Sequence, residues 1–260
     1  MATTPAPSSF ATLPASREEF VRRLQLAREP LVEEARRPPL RLLAGELDAL
    51  LEPVRRPFRQ IAIAPAASPQ TVMLLPGFAT HPIRMRYLAR QLERAGHKVK
   101  RWGMGFNFGP TEENLTFLEA RLEEVHARYG RPVTLVGWSL GGLFARELAK
   151  RRPGLVAKVV TMGTPFSGSP RANNAWRIYQ FVAGHRVDEP PIETVVAEKP
   201  PVETVALWSP RDGVVSARSS RGLPGERDRA VALRCTHIGF SYSAEAVHAV
   251  LAELERPLAG

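Results

Sequence analysis

Apolar, strand-like runs alternate with amphipathic helical patterns from about residue 60 onward, and no other feature of the sequence restricts the fold as much. Parallel strands joined by helices produce such a pattern, because helices cover both faces of the sheet and bury every strand. We therefore predict an α/β fold with a mostly parallel sheet of about six to seven strands and helices on both faces. The predicted strands are 71–75, 98–102, 133–136, 157–162, 203–208 and 230–235, with 61–63 as a candidate edge strand, and the main helices are 82–95, 111–129, 140–151 and 244–254.

The segment ahead of this region is too short to form a domain of its own. Residues 1–15 are rich in Ala, Thr, Pro and Ser, which predicts a flexible tail, and two short helices are expected after it, one capped by Ser16 and one at 40–51. We divide the chain into an N-terminal tail and helical extension, 1–58, and a main domain, 59–260. The extension is expected to pack on the main domain.

One connection is much longer than a strand–helix–strand crossover requires. It runs from Gly163-Thr-Pro-Phe166, after the strand at 157–162, to the strand at 203, and between these it contains three aromatic residues and two Pro-Pro pairs. An insertion at this position lies above the carboxyl edge of the sheet, where open α/β folds bind their ligands. We interpret 170–200 as a small cap or lid, and the alternative is an ordinary crossover helix with irregular loops.

The net charge of +10 suggests a nucleic-acid or membrane partner, but its distribution argues against both. The arginines are spread along the chain and interleaved with glutamates, and no nucleic-acid-binding motif is found. The longest uncharged run contains four prolines, so stable membrane insertion is not expected. Without a recognisable signal peptide, a cytoplasmic protein is the expectation. A membrane-surface role for the Arg-rich first helix stays open as an alternative.

The stretch Gly137-Trp-Ser-Leu-Gly141 joins a predicted strand to a predicted helix and carries Ser139 at its apex. A nucleophilic hydroxyl on such a sharp turn needs small neighbours, and glycines supply them. The helix behind the turn offers free N–H groups and the positive end of its dipole to a developing oxyanion. An idle serine on a glycine-rich turn is the alternative interpretation.

A serine nucleophile needs a general base and a group that orients the base. Among six histidines, His237 follows the last predicted strand, on a loop at the carboxyl edge of the sheet. Among four aspartates, Asp212 follows the strand 203–208 in a turn with Pro210 and Gly213. The chain order Ser139, Asp212, His237 is the order expected of this architecture.

Two backbone N–H groups near the serine would form the oxyanion hole. The first is that of Leu140, the residue after the nucleophile, and the second is assigned to Phe78, in the loop after the strand 71–75. Gly77 lets this loop approach a substrate closely.

These motifs together resemble the α/β-hydrolase superfamily, and within it bacterial lipase- and esterase-like members. The residues that carry the resemblance are Pro76-Gly77-Phe78, Gly137-Trp-Ser-Leu-Gly-Gly142, Gly163-Thr-Pro-Phe166, Asp212-Gly-Val-Val215 and His237. The resemblance implies a carboxylic-ester hydrolase that works through a Ser-His-Asp triad and an acyl-enzyme, without a metal or organic cofactor. Many members carry a His-Gly pair where this chain has Pro-Gly-Phe.

The partner implied by the resemblance is a small-molecule or lipid ester, and the oligomeric state is not specified. Besides the two oxyanion residues, the substrate pocket is expected to be lined by Trp138, Phe166, Trp176 and Phe181, although Trp138 could equally belong to the core. Two alternatives stay open: an acyltransferase or thioesterase with the same triad, and a non-catalytic binding member of the fold.

Overall fold

The computed structural model describes residues 14–31, 35–51, 55 and 61–257. Its centre is a parallel sheet with strand order β2-β1-β3-β4-β5-β6. The strands are β1 (Thr71–Leu75), β2 (Lys98–Arg101), β3 (Val133–Trp138), β4 (Val156–Met162), β5 (Glu203–Trp208) and β6 (Arg229–Ala232). The prediction of a parallel α/β sheet is confirmed.

The strands differ in burial according to their place in the sheet. The central strands β1 and β3 are buried along their whole length, as an all-parallel sheet covered on both faces requires. The edge strand β2 reads Lys-Val-Lys-Arg and is partly exposed, and its charges protect the open edge from pairing with other chains. The prediction of an edge strand at 61–63 is wrong: this segment is irregular in the structure, and β2 forms the sheet edge next to β1.

Helices lie on both faces of the sheet and close two apolar cores. The helices are α1 (Arg17–Arg28), α2 (Leu40–Gly45), α3 (Arg86–Arg94), α4 (Glu112–Tyr129), α5 (Leu140–Arg151), α6 (Trp176–Ala183), α7 (Ala217–Arg221) and α8 (Ala244–Glu255). Side chains of α3 and α8 pack on one face, and those of α4 and α5 on the other. No helix in the described ranges is both long and apolar enough to cross a bilayer.

The predicted helices begin where short polar side chains cap them. Ser16 accepts the backbone N–H of Glu19 at 3.1 Å, and Thr111 accepts that of Asn114 at the same distance. The predicted helix 82–95 starts instead as a 3-10 turn, Pro82–Met85, and the helix expected at 40–51 is α2 followed by a 3-10 turn, Glu46–Leu51. Most of the expected N-terminal tail and the proposed boundary at 58/59 lie outside the described residues.

The connection between β4 and β5 carries α6, and α1 of the N-terminal extension docks on this helix. Arg23 donates to the carbonyl of Val182 at 3.0 Å, and Arg177 donates to that of Ala27 at 2.6 Å. In the same connection, buried Arg171 pairs with Glu29 at 2.6 Å. The extension and the segment 163–202, hereafter the cap segment, thus support each other through specific polar contacts.

Candidate active site

Ser139 occupies a strained turn between β3 and α5. Its φ of 52° and ψ of −123° are rare for a residue with a side chain, and such a conformation costs on the order of 1–3 kcal/mol. The neighbouring glycines make the turn possible. A Cβ on Gly137 would lie 2.4 Å from the carbonyl oxygen of Gly141, and one on Gly141 would lie 2.2 Å from that of Leu75. Strain at a serine that faces a cavity is typical of a nucleophile.

Asp212 and His237 form a buried pair on neighbouring loops. The Nδ1 atom of His237 lies 2.7 Å from Oδ2 of Asp212, and the side chains are nearly inaccessible to solvent. The other carboxylate oxygen, Oδ1, accepts the backbone N–H groups of Val214 and Val215, each at 2.8 Å. These two bonds fix the carboxylate, so that one defined oxygen faces the imidazole.

Gly163, the first residue after β4, lies directly against this pair. Its φ is 57°, and a Cβ there would lie 3.0 Å from Oδ2 of Asp212 and 3.1 Å from Nδ1 of His237. Its N–H donates to the carbonyl of Leu207 on β5, while the backbone N–H of Ser139 donates to the carbonyl of Met162 on β4. The glycine therefore provides the space in which acid and imidazole meet, between the strands that carry Ser139 and Asp212. The motif Gly163-Thr-Pro-Phe166 does not by itself indicate this role in the sequence.

The pKa of His237 reflects two opposed effects. Burial alone would lower it, because a charged imidazole loses hydration in the interior. The negative charge of Asp212, its hydrogen bond and the more distant charge of Glu46 reverse this effect and raise the pKa above the ordinary value of 6.5. The imidazole is thus a stronger base than a free histidine.

The loop after β1 lies against the serine and holds Phe78 there. A Cβ on Gly77 would be 3.2 Å from Cβ of Ser139. The amide of Asn107 donates to the carbonyl of Pro76 at 2.7 Å, and the carbonyl of Asn107 accepts the N–H of Ala79 at the same distance. Asn107, which nothing in the sequence indicated, therefore clamps the loop on either side of Phe78.

Both expected oxyanion donors are available for a ligand. The N–H of Phe78 has no hydrogen-bond acceptor among the described residues. Leu140 is the first residue of α5, where a helix leaves its N–H groups without partners in the preceding chain. Leu140 directly follows Ser139, and Phe78 follows Gly77, which packs against Ser139, so both N–H groups belong to segments in contact with the serine.

A cavity of about 370 Å³ opens beside Ser139, within the range of about 300–1,000 Å³ typical of small-molecule sites. It follows α5 from Ser139 to Lys150, a distance of about 16 Å at the helical rise. Four of the expected pocket residues line it: Phe78, Leu140, Phe166 and Trp176. Tyr179, three residues after Trp176 on α6, also lines it and packs on Phe78 with ring centroids 5.0 Å apart.

The structure does not bring Trp138 to the cavity. Successive residues of a strand point to opposite faces, so Trp138 shares the face of Val136 and packs in the core formed with α3 and α8. Leu140, at the cavity, belongs to the other core. The indole Nε1 donates to the backbone carbonyl of His237 at 3.0 Å. Trp138 therefore supports the loop of His237 from the core formed with α3 and α8.

Phe181 is also placed away from the cavity. It lies two residues after Tyr179, about 200° around the helix axis, and therefore faces the N-terminal extension. Its ring packs edge-on against Phe20 of α1, with centroids 5.7 Å apart. Of the predicted pocket residues, Trp138 and Phe181 are thus corrected to core and docking positions.

Comparisons with known proteins identify the family and the fold. A family model described as the alpha/beta hydrolase fold matches residues 70–212, more than half of the chain. No curated protein matches the chain. Among solved structures, the mature form of a Bacillus licheniformis lipase, BlEst2, is 16% identical, with a TM-score of 0.56 over 76% of this chain and 96% of that one.

Two further structures are similar at the level of the fold. A lipase-esterase related protein from Clostridium acetobutylicum is 13% identical, with a TM-score of 0.53 over 75% of this chain and 97% of that one. A bacterial membrane phospholipase A is 17% identical, with a TM-score of 0.51 over 83% and 95% of the two chains. By the family match, the parallel sheet and the strand–serine turn–helix unit at its carboxyl edge, the chain belongs to the α/β-hydrolase family.

Proposed function

We propose that the protein is a serine hydrolase that cleaves carboxylic esters by way of an acyl-enzyme. The observation that carries the proposal is the buried Asp212–His237 pair at the same sheet edge as a strained serine that lines an apolar cavity. The lipase and esterase neighbours share the fold and so support the reaction class.

In the proposed mechanism, His237 takes the proton of Ser139 Oγ as this oxygen attacks the ester carbonyl carbon. The tetrahedral oxyanion accepts the N–H groups of Phe78 and Leu140. The C–O bond to the alcohol then breaks, and His237 gives its proton to the departing oxygen. Water, deprotonated by the same imidazole, attacks the acyl-enzyme and releases the carboxylic acid and Ser139. Asp212 stabilises the imidazolium throughout.

The cavity supports an apolar acyl group. Its wall along α5 is formed by Leu140, Leu143 and Phe144, and further along the helix it is lined by Glu147 and Lys150, whose charged atoms lie 2.7 Å apart. An aliphatic chain is stabilised by burial along the apolar wall. A chain long enough to reach this ion pair is destabilised, because it would have to desolvate the two charges.

The proposed function is tested with p-nitrophenyl esters of increasing acyl length and with a fluorophosphonate. The expected results are ester turnover that depends on chain length and a single adduct on the peptide that contains Ser139. A protein that hydrolyses none of the esters and forms no adduct would contradict the proposal. Acyl transfer to an added alcohol or thiol in preference to water would instead assign the triad to an acyltransferase.

We expect kcat/KM for these esters to rise with pH through a single ionisation whose midpoint lies above 6.5. The imidazole must be neutral to accept the serine proton, and the raised pKa of His237 moves the loss of activity on the acid side to higher pH. A pH–rate profile with a fast-reacting ester measures this midpoint. A midpoint below 6.5 would mean that burial outweighs the charges of Asp212 and Glu46.

Leu143→Trp is expected to shift the preferred acyl chain to shorter lengths. Leu143 lies one turn of α5 beyond Ser139, so a larger side chain fills the cavity close to the nucleophile. Each methylene kept out of the apolar wall costs about 0.8 kcal/mol, or about fourfold in kcat/KM. The matched variant Leu143→Ala should favour longer or bulkier chains. If both variants keep the wild-type profile, the acyl chain binds elsewhere.

A further inference from the structure

We propose that Glu46, in the N-terminal extension, is a positioning residue that holds the loops of Asp212 and His237 in their relative places. The inference rests on the proposed function and adds to it a residue outside the family match, which begins at residue 70. It concerns a side chain that does not touch the substrate, and acts on catalysis through the backbone of the two loops.

The carboxylate of Glu46 accepts three backbone hydrogen bonds from the two loops. Its Oε1 atom accepts the N–H of His237 at 2.7 Å and that of Gly213 at 3.0 Å. Its Oε2 atom accepts the N–H of Ile238 at 2.9 Å. One side chain thus joins the residue after the proposed acid to the proposed base itself.

The carboxylate of Glu46 is buried, so it depends on these three hydrogen bonds for its stabilisation. Glu46 is only 6% exposed, and no Lys or Arg of the described residues forms an ion pair with it. An ionised carboxylate in the interior must be stabilised by hydrogen bonds, and here three backbone N–H groups provide them. In return, these N–H groups would be buried without acceptors if the carboxylate were removed.

The backbone of α2 brings Glu46 to this position. A Cβ on Gly213 would lie 2.4 Å from the carbonyl oxygen of Leu42, so the turn after Asp212 packs against the helix with no room for a side chain. Asn174 of the cap segment adds a bridge, because its amide donates to the carbonyls of Gly213 at 2.8 Å and Pro38 at 3.1 Å. The extension is therefore in direct contact with the acid loop.

Glu46 also contributes to the electrostatics of the imidazole. The ionisable side chains that act on His237 are Asp212, in direct contact, and Glu46, whose charge acts through space. The other neighbours of the ring are uncharged: Trp138 and Phe240, with ring centroids 5.8 Å and 6.5 Å away, and Gly163. Removing the charge of Glu46 should therefore lower the pKa of His237, an effect that loosening of the fold alone would not produce selectively.

The test compares Glu46→Gln with Glu29→Gln. Glutamine keeps one acceptor oxygen but turns an N–H₂ group toward the remaining backbone donor, and it removes the charge. We expect kcat to fall about 10- to 100-fold, the range set by loss of buried hydrogen bonds, with KM within about twofold of wild type. The acid limb of the pH–rate profile should move to lower pH. Glu29→Gln weakens the contact of the same extension with Arg171, whose side chain bonds to Glu29, Pro30 and Asp188 and to neither triad residue, and should change none of these quantities.

The proposal is overturned if Glu46→Gln keeps the wild-type kcat and pH profile, or if Glu29→Gln lowers kcat equally. If Glu46→Gln does not fold, Glu46→Asp decides: a shorter carboxylate should lower kcat while the acid limb stays in place, and wild-type kcat would refute the role. An NMR titration of the His237 ring in the Ser139→Ala background needs no turnover. A lower pKa with Glu46→Gln there supports the positioning role even if the ester substrate is wrong, and an unchanged pKa refutes it.

Discussion

Ser139→Ala is expected to lower kcat for ester hydrolysis by about 10⁶-fold, the loss found when the nucleophile of such a triad is removed. Without the hydroxyl no acyl-enzyme forms, and the remaining catalysis comes from the oxyanion donors and from binding alone. Because alanine has no larger side chain than serine, the strained turn and the contact with Gly77 should be retained. The measurement is the steady-state rate with the best p-nitrophenyl ester, together with loss of the fluorophosphonate adduct.

Ser243→Ala is a suitable control for this substitution. Ser243 caps α8 by accepting the N–H of Ala246 at 3.1 Å, so its loss should cost about 1 kcal/mol of stability without affecting the cavity. We expect wild-type kcat and a somewhat lower unfolding temperature. Comparable activity in Ser139→Ala and wild type would mean that another group attacks the ester, and the proposed function would fail.

The sheet and the approximate places of the three triad candidates could be predicted from the sequence because both depend on local patterns. Apolar runs identify buried strands, and glycines mark the turn at Ser139. The alternation of strands and helices then places the ends of β3 and β5 at a common edge. Parallel strands bring residues that are distant in sequence together, so Asp212 and His237 could be chosen by their position after a strand.

The pocket was predicted less well, since a side chain's direction depends on details that the pattern does not give. The sequence leaves Trp138 equally open to the pocket and to the core, and the pleat of β3 turns it to the core on the face opposite the cavity. Phe181 was chosen as a cap aromatic, yet the register of α6 points it toward Phe20 of α1. To predict either side chain correctly, one must know which face of its strand or helix it occupies and which element packs against that face.

Glu46 could not be found from the sequence for a different reason. It is separated from His237 by 191 residues, and its role depends on how α2 packs against the turn at Gly213. A glutamate in a short helical extension is ordinary in composition, and most such residues are exposed. The three backbone N–H groups that bond to Glu46 come from two loops far from it in sequence, and only folding brings them to its carboxylate.

Asp212→Asn is expected to lower kcat about 10⁴-fold although the structure of the site is retained. The N–H groups of Val214 and Val215 fix the orientation of the new amide, because they need an acceptor at the position of Oδ1. The amide nitrogen must then face Nδ1 of His237 and donate to it. This arrangement places the imidazole proton on Nε2, the atom that has to accept the proton of Ser139. The base is thus held in the wrong tautomer.

Asp228→Asn separates this effect from the loss of a hydrogen-bonded, ion-paired carboxylate in general. Asp228 lies at the opposite edge of the sheet, where it accepts the N–H of Thr204 at 2.8 Å and pairs with Lys199 at 2.9 Å, so we expect unchanged kcat.

In Asp212→Asn the acid limb of the residual activity should also move to lower pH, because the largest charge that raises the pKa of His237 is gone. A loss of less than tenfold would require another carboxylate to orient the imidazole. Glu46 is the other carboxylate whose charge acts on His237, but its oxygens are already bound to three backbone N–H groups, so it cannot take over the role without releasing the loop that holds His237.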